Sequence, residues 1–180
     1  MVGRSPARLR WLVEPTQVDA VLAQQLVECW RDVSNAGGAV GFPFLPVSDE
    51  QVQPAVASVV ASLDPRSDRL LVAEVDDHLA GWLLVAGSTS RLTRHWARVL
   101  RVQTSLEHRG RGVGRALMTE AARAAREDLR LRHLRLELRA GTGLEDFYGR
   151  LGWQVAGRWP QALRLAADDL RDEVLMVLAL

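Results

Sequence analysis

A chain of 180 residues with a formal net charge of +1 is the size of one domain. Its 48% hydrophobic and 25% charged fractions exclude a disordered chain. The near-neutral total hides a tilt: residues 1–90 carry 6 Arg against 11 Asp and Glu (net −5), and residues 91–180 carry 17 Arg against 11 (net +6), so an anionic ligand is expected in the second half.

Hydrophobic spacing predicts a helix over 15–33, with Thr16 as its cap and Val18, Val21, Leu22, Leu26, Val27 and Trp30 on one face. Asn35 to Gly41 breaks the chain, and Pro43 and Pro46 extend the break as a loop. A second helix is predicted from Asp49 to Leu63. Strands follow at Leu70–Val75 and Leu79–Gly87, joined by a hairpin turn at Asp76-Asp77-His78. Arg98–Leu106 reads as the next strand, Gly110–Gly114 as a break, and the segment to Leu129 as a helix with Val113, Ala116, Leu117, Ala121 and Ala124 inward. His133–Arg139 alternates Leu134, Leu136 and Leu138 with charges, a period of two. Thr142 can cap a short helix, 143–151, and Trp153–Ala156 and Asp172–Leu180 complete the strands. This order predicts an α/β domain with a mixed sheet.

Cys29 is the single cysteine and has no internal disulfide partner. The chain has no apolar run near the ~18 residues a membrane span needs. Met1–Trp11 holds Arg4, Arg8 and Arg10 with no apolar stretch behind them, so it does not read as a secretory signal, and a cytoplasmic location is expected. All 23 basic residues are Arg. A Walker A lysine, a Schiff-base lysine and a lysine general base are thereby excluded. Thirteen Arg against five acids between Arg91 and Arg139 raise a nucleic-acid module as a rival, but a solvated helix face and a half-buried strand explain most of them. His78, His95, His108 and His133 read as surface residues, and with Cys29 they show no metal-ligand spacing.

The most informative segment is Arg109-Gly110-Arg111-Gly112-Val113-Gly114-Arg115, between a strand and a helix. Alternate glycines let a backbone approach a bulky ligand, and the helix behind them presents unpaired N–H groups and partial positive charge. That combination is a cradle for a diphosphate, and the arginines add charge around it. The G-x-G-x-G spacing, with a basic neighbourhood at Arg132, departs from the dinucleotide fingerprint.

Residues 109–114 resemble the Arg/Gln-x-x-Gly-x-Gly/Ala acetyl-CoA motif of the GCN5-related N-acetyltransferases (GNAT). Phe147-Tyr148-Gly149-Arg150-Leu151-Gly152-Trp153 is similar to that family's second signature. The resemblance spans about Leu70 to Leu180, and more loosely the two N-terminal helices. A narrower likeness is to the tabtoxin-resistance-type branch, through Gly38-Ala39-Val40-Gly41-Phe42, Gly141-Thr142-Gly143 and Asp172-Glu173-Val174, with Glu137 where that branch has an aspartate. The resemblance implies a single domain over 1–180: a mixed, mostly antiparallel central sheet with a splayed strand pair and about four flanking helices. Within it, 1–12 is expected as a flexible N-terminus, 13–66 as a helical acceptor-side region and 70–180 as the cofactor-binding core.

Acetyl-CoA is the implied co-substrate, with no metal, and a small-molecule amine the implied acceptor. No nucleic acid or membrane partner is implied, and a homodimer is compatible. Val102, Gln103 and Thr104 would pair through their backbones with the pantetheine arm, and Arg109, Gly110, Arg111, Gly112, Val113, Gly114 and Arg115 would hold the diphosphate. The amine would attack the thioester directly, with no covalent enzyme intermediate. Tyr148, the only tyrosine, is the implied general acid toward the departing thiolate. Glu74 and Glu137 are the candidate bases, with a water chain as the alternative. Trp30, the 35–44 loop and Trp159-Pro160 are candidates for the acceptor wall, and Trp153 for the core. A catalytically silent acyl-CoA-binding regulator and a protein acetyltransferase are the competing functions.

Overall fold

The computed structural model describes residues 6–38 and 41–180. The chain runs β1 (Arg8–Leu12), α1 (Ala20–Asn35), α2 (Asp49–Ala61), β2 (Asp68–Val75), β3 (His78–Ala86), β4 (Trp96–Thr104), α3 (Val113–Glu127), β5 (His133–Arg139), α4 (Leu144–Gly149), β6 (Gln154–Ala166) and β7 (Asp169–Ala179). The seven strands form one sheet in the order β1-β2-β3-β4-β5-β7-β6. Every neighbouring pair is antiparallel except β4 and β5.

β2 and β3 are interior strands with helices packed on both faces, which is why their sequences are nearly continuous apolar runs. Their alternation feeds two cores. Leu71, Ala73, Leu83 and Val85 pack with Val113, Leu117 and Ala121 of α3 on one face. Leu70, Val72, Trp82 and Leu84 pack with Leu26, Trp30 and Val56 of α1 and α2 on the other. Asp76 and Asp77 both take left-handed backbone, with φ of 50° and 62°, the geometry of a two-residue hairpin turn that matches strand twist.

Four expectations change. Residues 8–12 form an edge strand paired with β2 rather than a flexible tail, with Arg8 and Arg10 alternating against Leu9 and Trp11. The first helix begins at Ala20, because Asp19 accepts from the Leu22 N–H at 2.8 Å and Pro15–Gln17 forms a separate turn. Thr142 does not cap α4: its hydroxyl donates to the Arg139 carbonyl at 2.9 Å, and Gly143 precedes the helix with φ 74°. β6 is also longer than expected, 13 residues against four.

What positions the site is a break in the middle of the sheet. β4 and β5 pair only at Trp96↔His133, Ala97↔Leu134 and Arg98↔Arg135, then diverge. On the other edge of β4, Trp82 faces Gln103 while Leu84 faces Leu100, so β4 carries one extra residue. Arg101 sits in this bulge with φ 56°. Holding a non-glycine residue there costs about 1–3 kcal/mol. Its guanidinium lies 5.1 Å from the Trp30 ring, a contact that offsets part of the cost. No helix among the described residues is long and apolar enough to cross a membrane.

Candidate active site

Where β4 and β5 part, a cleft of about 1080 Å³ opens between the two helical layers. That exceeds the roughly 300–1,000 Å³ of ordinary small-ligand sites and gives room for two reactants. At its base is the unpaired edge of β4. Ser105 N–H donates to the Ala80 carbonyl at 2.9 Å. By strand alternation, Gln103 likewise directs its backbone toward β3, while the N–H and C=O groups of Val102 and Thr104 point into the opening. The Gln103 side chain is 2% exposed, and neither end of its amide has a hydrogen-bond partner.

The glycine turn closes one end. Gly110 and Gly112 have φ of 72° and 84°, and a Cβ built on either would meet no atom within 4 Å. Gly112 is the residue before α3, and no side chain caps the helix. Among the described residues, the amides of Gly110, Gly112, Val113, Gly114 and Arg115 have no partner; the first N–H bonded at this helix start is that of Ala116, to Gly112. Five unbonded donors in the turn and first turn of a helix, at its positive end, fit a diphosphate. Arg109 and Arg115 line the cleft beside them, and Arg111 does not. His108, expected at the surface, lines it too and bonds Ser105 Oγ through Nδ1 at 2.8 Å.

Tyr148 comes from α4, on the far side of the splay. It is 6% exposed, packed edge-on against Phe147 and Trp153 with ring centroids 5.0 and 6.0 Å away. Its hydroxyl bonds no described residue, and the residue lines the cleft. Burial pushes its pKa up to about 12, so the phenol keeps its proton.

The two candidate bases part company. Glu137 lines the cleft. Glu74 does not: it is held on β2 by Arg10 and Arg8 at 2.7 and 2.8 Å. Burial raises its pKa, but the two arginine hydrogen bonds outweigh this and leave it below the usual range. A carboxylate tied down in this way is a poor proton acceptor.

The acceptor wall is also redrawn. Phe42, Pro43, Gly37, Gly38 and Gly41 contribute to it, while Ala39 and Val40 of the Gly38–Phe42 landmark lie outside the described residues. Trp30, 1% exposed, supports Phe42 from behind with ring centroids 5.3 Å apart. Trp159 is 58% exposed and lies outside the cleft; Leu163, Arg164 and Leu165 of β6 line it instead. Sequence reasoning missed Arg98, Arg101, Arg139, Arg164 and Glu173, all in the lining. The alternation of β5 carried a signal for Arg139, and the bulge at Arg101 left none.

A family model described as an acetyltransferase (GNAT) domain matches residues 66–155. No curated protein matches the sequence. Solved structures do. A GCN5-related N-acetyltransferase from Kribbella flavida is 21% identical, with TM-score 0.73 over 96% of this chain and 98% of that one. YncA from Salmonella typhimurium, solved with its cofactor acetyl-CoA, is 16% identical, with TM-score 0.71 over 97% and 94%. Nourseothricin acetyltransferase is 31% identical, with TM-score 0.55 over 64% and 67%. The matched segment runs from the turn before β2, through the splay and the glycine turn, to the start of β6, and by it the chain belongs to the GNAT family of acetyl-CoA-dependent N-acetyltransferases.

Proposed function

We propose that this enzyme transfers an acetyl group from acetyl-CoA to a primary amine of a small molecule by direct attack. The observation that carries the reading is the juxtaposition, in one cleft, of the five-amide turn, the open edge of β4 and the Tyr148 hydroxyl. The amides of residues 110 and 112–115 bind the diphosphate, and Arg109 and Arg115 add charge-assisted contacts. Val102 and Thr104 pair with the pantetheine amides as a neighbouring strand would. Bound there, acetyl-CoA supplies an activated acyl thioester.

The protein then has three tasks: orient the amine, remove its proton and protonate the leaving sulfur. Tyr148 donates its hydroxyl proton as the C–S bond breaks. Glu137, on the face of β5 away from the core that holds Tyr148, takes the proton that the nitrogen loses as the N–C bond forms. The wall of Gly37, Gly38, residues 41–43 and 163–165 encloses the acceptor: the Phe44 N–H donates to the Leu165 carbonyl at 3.2 Å, tying the α1–α2 connection to β6. Such a bridged mouth favours a small acceptor over a folded protein surface. The test is thiol release from acetyl-CoA across an amine panel, with the acetylated product identified by mass. Product formation dependent on the amine supports the proposal; acetyl-CoA binding with no transfer to any amine contradicts it.

A further inference from the structure

The acceptor half of the cleft contains more charge than deprotonating an amine requires. On β5, Leu134, Leu136 and Leu138 enter the core with α3, so Glu137 and Arg139 share the opposite face. On β7, Val174 and Met176 enter that same core, which puts Glu173 and Leu175 on the Glu137 face. The register sets Arg139 directly opposite Glu173, and Glu137 opposite Leu175. Directly opposed residues have Cβ atoms about 4.5–5.5 Å apart, and diagonal ones such as Glu137 and Glu173 lie about 7–8 Å apart. The register thus brings one arginine and two carboxylates to the same face of the β5–β7 pair, and all three line the cleft.

These three charges stay apart. Elsewhere the arginines find acids readily: Arg123 pairs with Glu120, Glu127 and Asp128, and Arg158 with Glu145 and Asp172. Among the described residues, Arg139, Glu137 and Glu173 form no ion pair, although Arg139 and Glu173 are cross-strand neighbours. Arg139 Nε is buried without a hydrogen-bond partner. Arg164, also in the lining, is likewise unpaired. Burial and then the Glu137 charge push the Glu173 pKa up, as expected for a carboxylate lacking a cation. Burial draws the Arg139 pKa down.

A ligand that completes this pattern carries both signs within a few bonds. We infer that the acceptor is an amino-acid-like zwitterion, with its amine held by Glu137 and Glu173 and its anion by Arg139. The inference rests on the N-acetyltransferase reading above. The ammonium gives one proton to the Glu173–Glu137 pair to become a nucleophile. After its nitrogen bonds the acyl carbon, a second proton leaves by the same route to solvent, Tyr148 protonates the thiolate and is reprotonated from solvent, and one proton is released per turnover. Arg139 takes no part in that exchange. Its planar fork holds a carboxylate at a fixed distance from the amine, which makes it a specificity residue.

The experiment compares the common L-amino acids with their carboxamides, with the corresponding amines lacking a carboxyl, and with a tripeptide, at saturating acetyl-CoA. At least one amino acid is expected to be acetylated with kcat/KM about 10–100-fold above its amide, the factor a charge-assisted contact supplies. Arg139→Gln should raise KM for that acid by a similar factor, leave kcat nearly unchanged and erase the acid-over-amide preference, and Arg139→Lys should restore part of it. A merely structural Arg139 would shift melting without touching that preference. If Arg139→Gln does not fold, the wild-type preference and Arg164→Gln decide. Equal or faster use of amides, carboxyl-free amines or the tripeptide overturns the inference. So does the absence of any acetylated amino acid while acetyl-CoA still raises the melting temperature, a result that leaves the cofactor assignment standing. Loss of acetyl-CoA binding itself would overturn both.

Discussion

Arg10, paired with Val72 in the β1–β2 register, reaches diagonally to Glu74, its Nη2 donating to Oε1 over 2.7 Å, and this contact engages a carboxylate that sequence alone offered as a base. Glu74→Gln should leave turnover per folded molecule unchanged while destabilising the fold. Losing charge-assisted hydrogen bonds at a buried carboxylate costs about 1–3 kcal/mol. Each kcal/mol lowers the melting temperature of a chain this size by about 2–4 °C. Because the folded pKa is depressed, the stabilisation is fully present above the unfolded value of about 4.3 and fades as pH falls through the lower folded value. Melting curves of wild type and variant should therefore begin to draw together as pH falls below about 4.3. Unchanged melting at neutral pH with lost turnover would return Glu74 to the chemistry.

Gly114→Asp should abolish acetyl-CoA binding. A Cβ at this position lies 3.4 Å from Thr104 Oγ1 and 3.5 Å from Phe147 Cζ, ordinary contacts that α3 tolerates. The added carboxylate would stand among the free amides and repel a diphosphate. Gly112→Asp is the less clean variant, since φ 84° strains any side chain there. Calorimetry with acetyl-CoA checks this; wild-type affinity in Gly114→Asp would make the turn a structural one.

Tyr148→Phe should lower kcat by about 10²–10⁴-fold, the range of general acid help. Its hydroxyl bonds no described residue and its ring packing survives in Phe, so folding and acetyl-CoA affinity should change little. With its pKa pushed to about 12, the wild-type donor keeps its proton throughout the working range. No alkaline loss of activity attributable to Tyr148 should appear up to about pH 10, where an ordinary tyrosine titrates. Steady-state rates across pH, with a chemical step shown to limit, decide the matter. Wild-type turnover in the variant would reduce Tyr148 to packing.

Local chemistry made much of this site legible. The glycine turn, the Phe147-Tyr148 pair and the alternation of β5 each depend on a few adjacent residues, and each stands where the sequence pattern put it. Three features depended on distant partners and were hidden. β1 is five residues long and owes its strand state to pairing with β2, so its arginines looked like a charged tail. Glu74 looked available because its partners Arg8 and Arg10 lie more than 60 residues away. The charges in the cleft lining were hidden because Arg139 and Glu173 become neighbours only through the β5–β7 register. Arg101 bulges the strand in a left-handed conformation that glycine favours, so nothing in its residue type announced it.

The central claim is acetyl transfer to a small amine, and labelled acetyl-CoA incubated with the enzyme and a metabolite extract tests it most directly. Mass spectrometry should find a small amine carrying the labelled acetyl group, formed mole for mole with free coenzyme A and lost in Tyr148→Phe. Label recovered only as acetate, or acetyl-CoA bound and left intact, would contradict the account and make the protein an acyl-CoA binder without transferase activity.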